Sequence, residues 1–373
     1  MKNELALTLF ICSALFNWVG QQVAFADETL GVADGNKTSE VDRLRFTVGV
    51  RTIFQDSRGV YWFGSHGEGL CRYDRKVFEY FTTSKDGLAD DHILSIQEDS
   101  KGAIWVDTQH GVSRYAGNAF VSFPETQRTP YAFKSTLALP ETLQEQWRKS
   151  DADLWFSAGT REGVFRYDGQ QIRYLPFPNP RTSGTGNTHA VTGFSPGKSN
   201  VLWISTYAGV FGYNGDNLTI INDETLGYSD RDDRIHVRCV LEDSQGRLWI
   251  GNNGIGVLLK EGESVVNFSR KHGKLLPCKE FEANTLAKRF SANTGLQSVF
   301  AVAEDCRGNV WFGDRDTGAW RYDGEALVNF TIDEKLGSQM IWDIYEDHGK
   351  NLLFAMAQGG VYQFNGSTFV RRF

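Results

Sequence analysis

The chain has 373 residues, with 39 lysines and arginines against 46 aspartates and glutamates, a formal net charge of −7. That mild acidic balance gives no counterion-release drive toward nucleic acid and no attraction to an anionic membrane. Its 39 glycines, 10 tryptophans and 26 phenylalanines suit many short strands joined by tight turns, so a length that suggests two domains is also compatible with one large all-β fold.

From the N-terminus, Lys2 precedes a largely apolar run from Leu5 to Gly20, and Ala24-Phe25-Ala26 supplies a small-x-small cleavage pattern. Residues 1–26 are therefore predicted to be an export signal cut after Ala26, making the mature protein periplasmic or secreted. The apolar run is shorter than the roughly 20 residues of a spanning helix. No later stretch is apolar enough for membrane insertion of the mature chain, and residues 27–42 read as a linker.

The remainder, 43–373, is organised by a repeat. Gln55-Asp56-Ser57-Arg58-Gly59-Val60-Tyr61-Trp62 returns as Glu98-Asp99-Ser100-Lys101-Gly102-Ala103-Ile104-Trp105, and again around Asp243, Gly246 and Trp249 and around Asp305, Gly308 and Trp311. Weaker copies centre on Trp155, Trp203 and Leu353. A second block follows each anchor, as in Gly163-Val164-Phe165-Arg166-Tyr167-Asp168-Gly169 and Gly318-Ala319-Trp320-Arg321-Tyr322-Asp323-Gly324, and a short apolar run follows that. Each unit thus offers four strands. The first turns at Asp-x-x-Gly, where Asp accepts backbone N–H groups and Gly tolerates positive φ, and the third enters the fourth through an Asp-Gly or Asn-Gly hairpin.

Seven such units predict an all-β, seven-bladed β-propeller of four-stranded antiparallel blades. The recurrent Trp and Tyr are read as the surfaces on which blades stack. Phe369 to Phe373 completes the seventh blade from its own repeat, and Leu44 to Thr47 is a further candidate for closing the ring. Insertions fall near 126–149, with a helix-forming stretch at 141–148, and near 269–296, with a short helix around 281–290. Both are candidates for a lid or binding loop or, equally, for plain surface decoration. Cys71, Cys239, Cys278 and Cys306 follow the signal; export permits disulfides, but the spacing fixes no pairing. No CxxC or Cys/His ligand spacing exists, so structural zinc is not expected, and no metal ligand or cofactor is assigned from the sequence.

The pattern Ile-x-Glu-Asp-x-x-Gly-x-x-Trp, followed by Gly-Val-x-Arg-Tyr-Asp-Gly, resembles the two-component regulator propeller repeat. That resemblance implies the periplasmic sensor part of hybrid two-component receptors, many of which respond to glycan fragments. It also implies a protein partner, a membrane receptor or kinase, to carry a signal onward.

Strand direction sorts the loops by face. Turns of the Asp-Ser-Arg-Gly kind are uniform and occupy one face, called here the bottom; the loops on the opposite, top face differ in every blade. Recognition concentrates in varied loops on a rigid scaffold. The ligand-binding candidates are therefore His66 and Glu68, His92, His110, Arg161, Tyr207, His236, Asn253 and Arg315. Arg51, Arg238 and Trp342 join them from the upper ends of first strands, since Arg suits carboxylates or phosphates and Trp offers a flat face to a sugar. Leu94 and Phe300, at the same position, read as inter-blade packing. Nearby carboxylates are Asp90, Asp91, Glu162, Asp232 and Asp233. The leading expectation is a sensing or interaction module for an extracellular small molecule or glycan fragment, with no catalytic set. Two alternatives stay open: a propeller lyase-like enzyme using top-face His and Glu with a divalent metal, and a protein–protein scaffold.

Overall fold

The computed structural model describes residues 43–127, 150, 152–159, 161–177, 188–215, 218–228, 234–275 and 295–373. The segments expected to be an export signal (1–26) and a linker (27–42), the stretches 141–148 and 281–290, Cys278, Asp232 and Asp233 lie outside these residues. Among the described residues no helix is long and apolar enough to cross a membrane.

The repeat folds as the Asp-x-x-Gly chemistry dictates. In the first blade, Asp56 N–H donates to Val60 O and Gly59 N–H to Asp56 O, with Gly59 at φ 81°. One oxygen of Asp56 accepts the N–H groups of Arg58 and Val60, and the other accepts the indole N–H of Trp62 at 3.1 Å. The same clasp joins Asp99 to Trp105, Asp243 to Trp249 and Asp305 to Trp311 at 2.8–2.9 Å. A buried carboxylate thus fixes the turn and satisfies the one polar atom of a buried indole.

These turns link strands into seven sheets, each ordered sequentially from the axis outward. The innermost strands are Val50–Gln55, Ile93–Glu98, Val191–Pro196, Val237–Glu242, Val299–Glu304 and Ile341–Glu346. Trp strands such as Tyr61–Ser65, Leu248–Asn252 and Val310–Asp314 are buried at every residue, because both faces of a blade are covered by its neighbours. Every anchor indole except Trp203, which faces the aromatic-free strand Val257–Glu261, meets an aromatic on the third strand of the next blade. Trp62 meets Tyr115 at 5.2 Å, Trp105 meets Tyr167 at 4.3 Å and Trp311 meets Phe364 at 4.8 Å. The all-β, seven-bladed propeller is thus the observed architecture, with the Trp and Tyr rings as stacking surfaces.

Blade 3 differs. Its described strands are Leu154–Ser157, Gly163–Tyr167 and Ile172–Pro176, and the axial edge of the first is bonded by side chains of blade 2. Gln97 Nε2 donates to Trp155 O at 2.8 Å, and Ser157 N–H donates to Asp107 Oδ2 at 2.8 Å. In blade 4, which lacks the turn Asp, Trp203 Nε1 donates instead to Glu242 of blade 5 at 2.7 Å.

The ring closes without a shared sheet. Phe369–Arg371 completes the last blade from its own repeat. Leu44 and Phe46 pack with Phe63, Leu353 and Phe373 in the seam between the first and last blades. Ile53 N–H donates to Asp343 Oδ2, Gln55 N–H to Tyr345 Oη and Tyr61 Oη–H to Asp347 Oδ2 across that seam. Cys71, Cys239 and Cys306 are free thiols; burial pushes the Cys71 thiol pKa up and that of Cys239 to about 12.

Candidate functional site

The innermost strand carries the same irregularity in six blades. Val50 pairs with Ser65 and Thr52 with Gly64, so Arg51 between them has no partner opposite. The register shifts identically at Leu94, Thr192, Arg238, Phe300 and Trp342. A bulge leaves one residue out of the ladder and re-aims its side chain. All six side chains line one axial cavity of about 280 Å³.

Around the axis the ring reads Arg51, Leu94, Thr192, Arg238, Phe300 and Trp342. Its second half is an arc of two aromatics with an arginine at each end. The Arg51 guanidinium carbon lies 5.2 Å from the Trp342 ring centre, that of Arg238 lies 4.3 Å from the Phe300 centre, and Phe300 meets Trp342 edge-on at 5.5 Å. Phe300 is therefore a wall of the cavity as well as a packing residue. Asp343 borders the same cavity; burial pushes its carboxyl pKa up to about 6 despite the N–H bonds that favour its anion.

A second tier sits above the ring. The first loop residue after each Trp strand donates its N–H to the carbonyl two residues before the bulge: His66 to Gly49, Gln109 to His92, Tyr207 to Ala190, Asn253 to His236, Arg315 to Ser298 and Ala357 to Met340. This places His66, Tyr207, Asn253 and Arg315 at equivalent rim positions, with His92 and His236 beside them. The His66 ring stacks on Trp342 at 5.3 Å, and its Nδ1 lies 3.3 Å from Arg51 Nη1. A guanidinium only donates, so Nδ1 is the acceptor and the His66 proton sits on Nε2. Burial, then Arg51 and His92, push the His66 pKa down to about 4. Burial and Arg238 do the same to His236, whose ring meets Tyr207 edge-on at 4.9 Å. The two imidazoles are neutral at ordinary pH.

The other sequence candidates lie elsewhere. Asp90 accepts from Nδ1 of His92 at 3.2 Å and of His110 at 2.7 Å, forming a small polar cluster on blade 2. Glu68 accepts from Thr47 N and Oγ1 and from Val48 N, which ties down the N-terminal segment. Arg161 lies over Tyr174 on the outer strand of blade 3 at 5.5 Å. Glu162 and His189 are buried in the body of the fold. Among the described residues no group of three or more His, Cys, Asp or Glu is placed to hold a metal ion.

Sequence reasoning missed Thr192. Counting back from the turn Asp fails in blade 4, where Pro196-Gly197-Lys198 replaces it. Counting back from the anchor (Trp62, Trp105, Trp203, Trp249, Trp311 or Leu353) finds all six positions.

A family model described as the two-component regulator propeller matches residues 87–110 and 230–254. Those segments contain the bulges at Leu94 and Arg238 and the clasps at Asp99 and Asp243. No curated protein matches the chain. Among solved structures, the extracellular domain described as that of a one-component system of B. thetaiotaomicron is 18% identical with a TM-score of 0.59, covering 87% of this chain and 40% of that one. The corresponding domain of a hybrid two-component system of the same organism is 17% identical with a TM-score of 0.57, covering 85% and 40%. The chain thus spans about 40% of the length of these matches. Virginiamycin B lyase from Staphylococcus aureus is 13% identical with a TM-score of 0.58, covering 85% of this chain and 94% of that one. At such identities these structures share the fold. The chain is a seven-bladed propeller that carries two-component regulator propeller repeats.

Proposed function

We propose that this chain is an exported ligand-sensing propeller that captures a small extracellular ligand, a glycan fragment, at its axial ring and relays occupancy to a protein partner. The observation that carries this reading is the repeated bulge. Six blades aim one side chain each into a common cavity, and those side chains differ in chemistry while the Asp-x-x-Gly clasp on the opposite face recurs in four blades. Flat aromatics flanked by donors suit a sugar, whose C–H faces stack and whose hydroxyls bond. The repeat family and the extracellular domains of similar fold support the sensing role, and the predicted signal at 1–26 supports export.

The test is thermal unfolding of the protein against a panel of oligosaccharides, small acids and divalent metals. A ligand at about 100 times its dissociation constant stabilises the fold by about 2.7 kcal/mol, a readable shift. A sugar or acid shift that Trp342→Ala abolishes supports the proposal. A shift with metal alone, with turnover lost on chelation, favours the lyase-like alternative. Silence across the panel, with a partner retained in a pull-down, leaves the protein scaffold in front.

A further inference from the structure

The axial ring holds two guanidinium groups that no carboxylate neutralises by direct contact. Neither Arg51 nor Arg238 takes part in an ion pair among the described residues. Arg51 contacts the Trp342 face and the lone pair of His66 Nδ1. Arg238 contacts Phe300, the Tyr207 face at 5.1 Å and the Tyr207 hydroxyl at 3.4 Å, and its Nε is buried without a partner. Two carboxylates stand in the neighbourhood. Asp343 Oδ2 accepts from Ile53 N–H, and Asp107 Oδ2 accepts from Ser157 N–H while acting on Arg51 only at longer range. Burial, eased by Tyr207 and reinforced by the Arg238 charge, holds the Arg51 guanidinium below its usual pKa range. Burial likewise lowers that of Arg238, with Arg315 adding to the effect.

Like charges held half-buried without counter-ions are costly to the fold. A group kept at such a cost, with donor hydrogens facing a cavity, is suited to an anion that arrives from outside. Resting on the reading of this ring as a ligand site, we infer that its ligand is acidic: an oxyanion, a sugar carboxylate or sulfate, is held by Arg51 and Arg238. The rest of the ligand lies along the Phe300 and Trp342 arc.

The experiment is titration calorimetry on the full chain, at matched ionic strength, with paired probes: glucuronate against glucose, galacturonate oligomers against their methyl esters, and inorganic sulfate alone. The acidic member of a pair is expected to bind at least about tenfold more tightly than its neutral partner, and sulfate to compete with it. Arg51→Gln and Arg238→Gln are each expected to weaken the acid by at least about tenfold. Their unfolding midpoints should stay at or above that of the parent, which separates lost binding from lost folding. A readout without any variant is the imidazole titration of His66, which sulfate should shift upward by offsetting the Arg51 charge. Equal affinity for acid and neutral partner, or binding of neutral sugars only, overturns the anionic ligand and leaves the ring as the ligand site. Acid binding unchanged in both variants, or no binding by any probe, overturns the ring reading as well.

Discussion

The clasp at Asp243 is an acceptor site of unusual strictness, and Asp243→Asn tests it. Four donors converge on this carboxylate: the N–H groups of Gln245 and Arg247 at 2.9 Å, Arg247 Nε at 2.6 Å and Trp249 Nε1 at 2.8 Å. An ionised carboxylate accepts all four, whereas an amide has one acceptor oxygen and must turn its NH2 toward donors. If that NH2 faces the indole, Trp249 Nε1 is orphaned in a side chain that is 0% exposed. A buried orphan costs roughly 1–3 kcal/mol, and the lost bond from partly exposed Arg247 adds about 1 kcal/mol. The expected destabilisation is about 2–4 kcal/mol, read from urea unfolding followed by tryptophan fluorescence. Turn chemistry alone gives the opposite answer, because Asn is as good as Asp at the head of such a turn. A change within about 0.5 kcal/mol, which is ordinary for surface substitutions, would refute the clasp.

Two controls sharpen this result. In a Trp249→Phe background the indole donor is gone, so Asp243→Asn should cost less there, with a coupling of about 1–2 kcal/mol. The pH dependence has a fixed sign. Burial alone would raise the Asp243 pKa, but the bonds from Trp249 and from Arg247 outweigh it and lower the pKa. A carboxylate depressed in the folded state stabilises above its unfolded pKa of about 3.9, and that stabilisation is lost as pH falls through the folded value. Parent and Asp243→Asn should therefore converge in acid.

Asp343 should behave the other way. Its folded pKa of about 6 exceeds the unfolded value, so the folded state binds more protons, and the contribution of Asp343 to stability falls as pH rises from about 4 to 6. The advantage of Asp343→Asn over the parent in urea midpoint should grow between pH 4 and 7, the shared histidine titrations cancelling in the difference; a constant difference rules this out. Lys350 occupies the left-handed turn position at φ 63°, where four other blades have glycine (Gly59, Gly102, Gly246 and Gly308). Lys350→Gly should raise stability by up to about 1 kcal/mol, since relief of strain exceeds the loss of the exposed Glu346 pair, and a lower thermal midpoint would contradict it.

What the sequence displays is local chemistry that recurs. Asp, Gly and Trp appear at fixed offsets because each turn needs a carboxylate, a left-handed residue and an indole donor within a few positions. Blade count and the stacking role of the Trp and Tyr rings follow from that recurrence. The bulge is not a residue type but a relation between two strands, and its occupants, Arg, Leu, Thr, Arg, Phe and Trp, share no chemistry. Counting from the turn Asp reached Arg51, Arg238 and Trp342, but gave Phe300 to packing and passed over Thr192. Glu68 shows the converse. A loop carboxylate looks available until the N–H groups of Thr47 and Val48 fold onto it.

On the proposed reading of the ring, the same distinction lets one scaffold vary its ligand. A bulge residue has no ladder partner opposite and belongs to none of the hydrophobic clusters between blades, so exchanging it leaves the strand ladder and those clusters in place. The clasp residues have the reverse property: each bonds a turn and a buried indole, and none reaches the axial cavity. If the ring is the ligand site proposed above, stability and specificity are carried by separate positions within a few residues of one another on the same strand-turn-strand unit. Crossing the variants makes this testable. Arg238→Gln should reduce ligand binding and leave the urea midpoint nearly unmoved, while Asp243→Asn, five residues on, should lower the midpoint and leave the affinity of the folded protein nearly unmoved. Binding lost in proportion to stability in both variants would mean that the ring is an extension of the core.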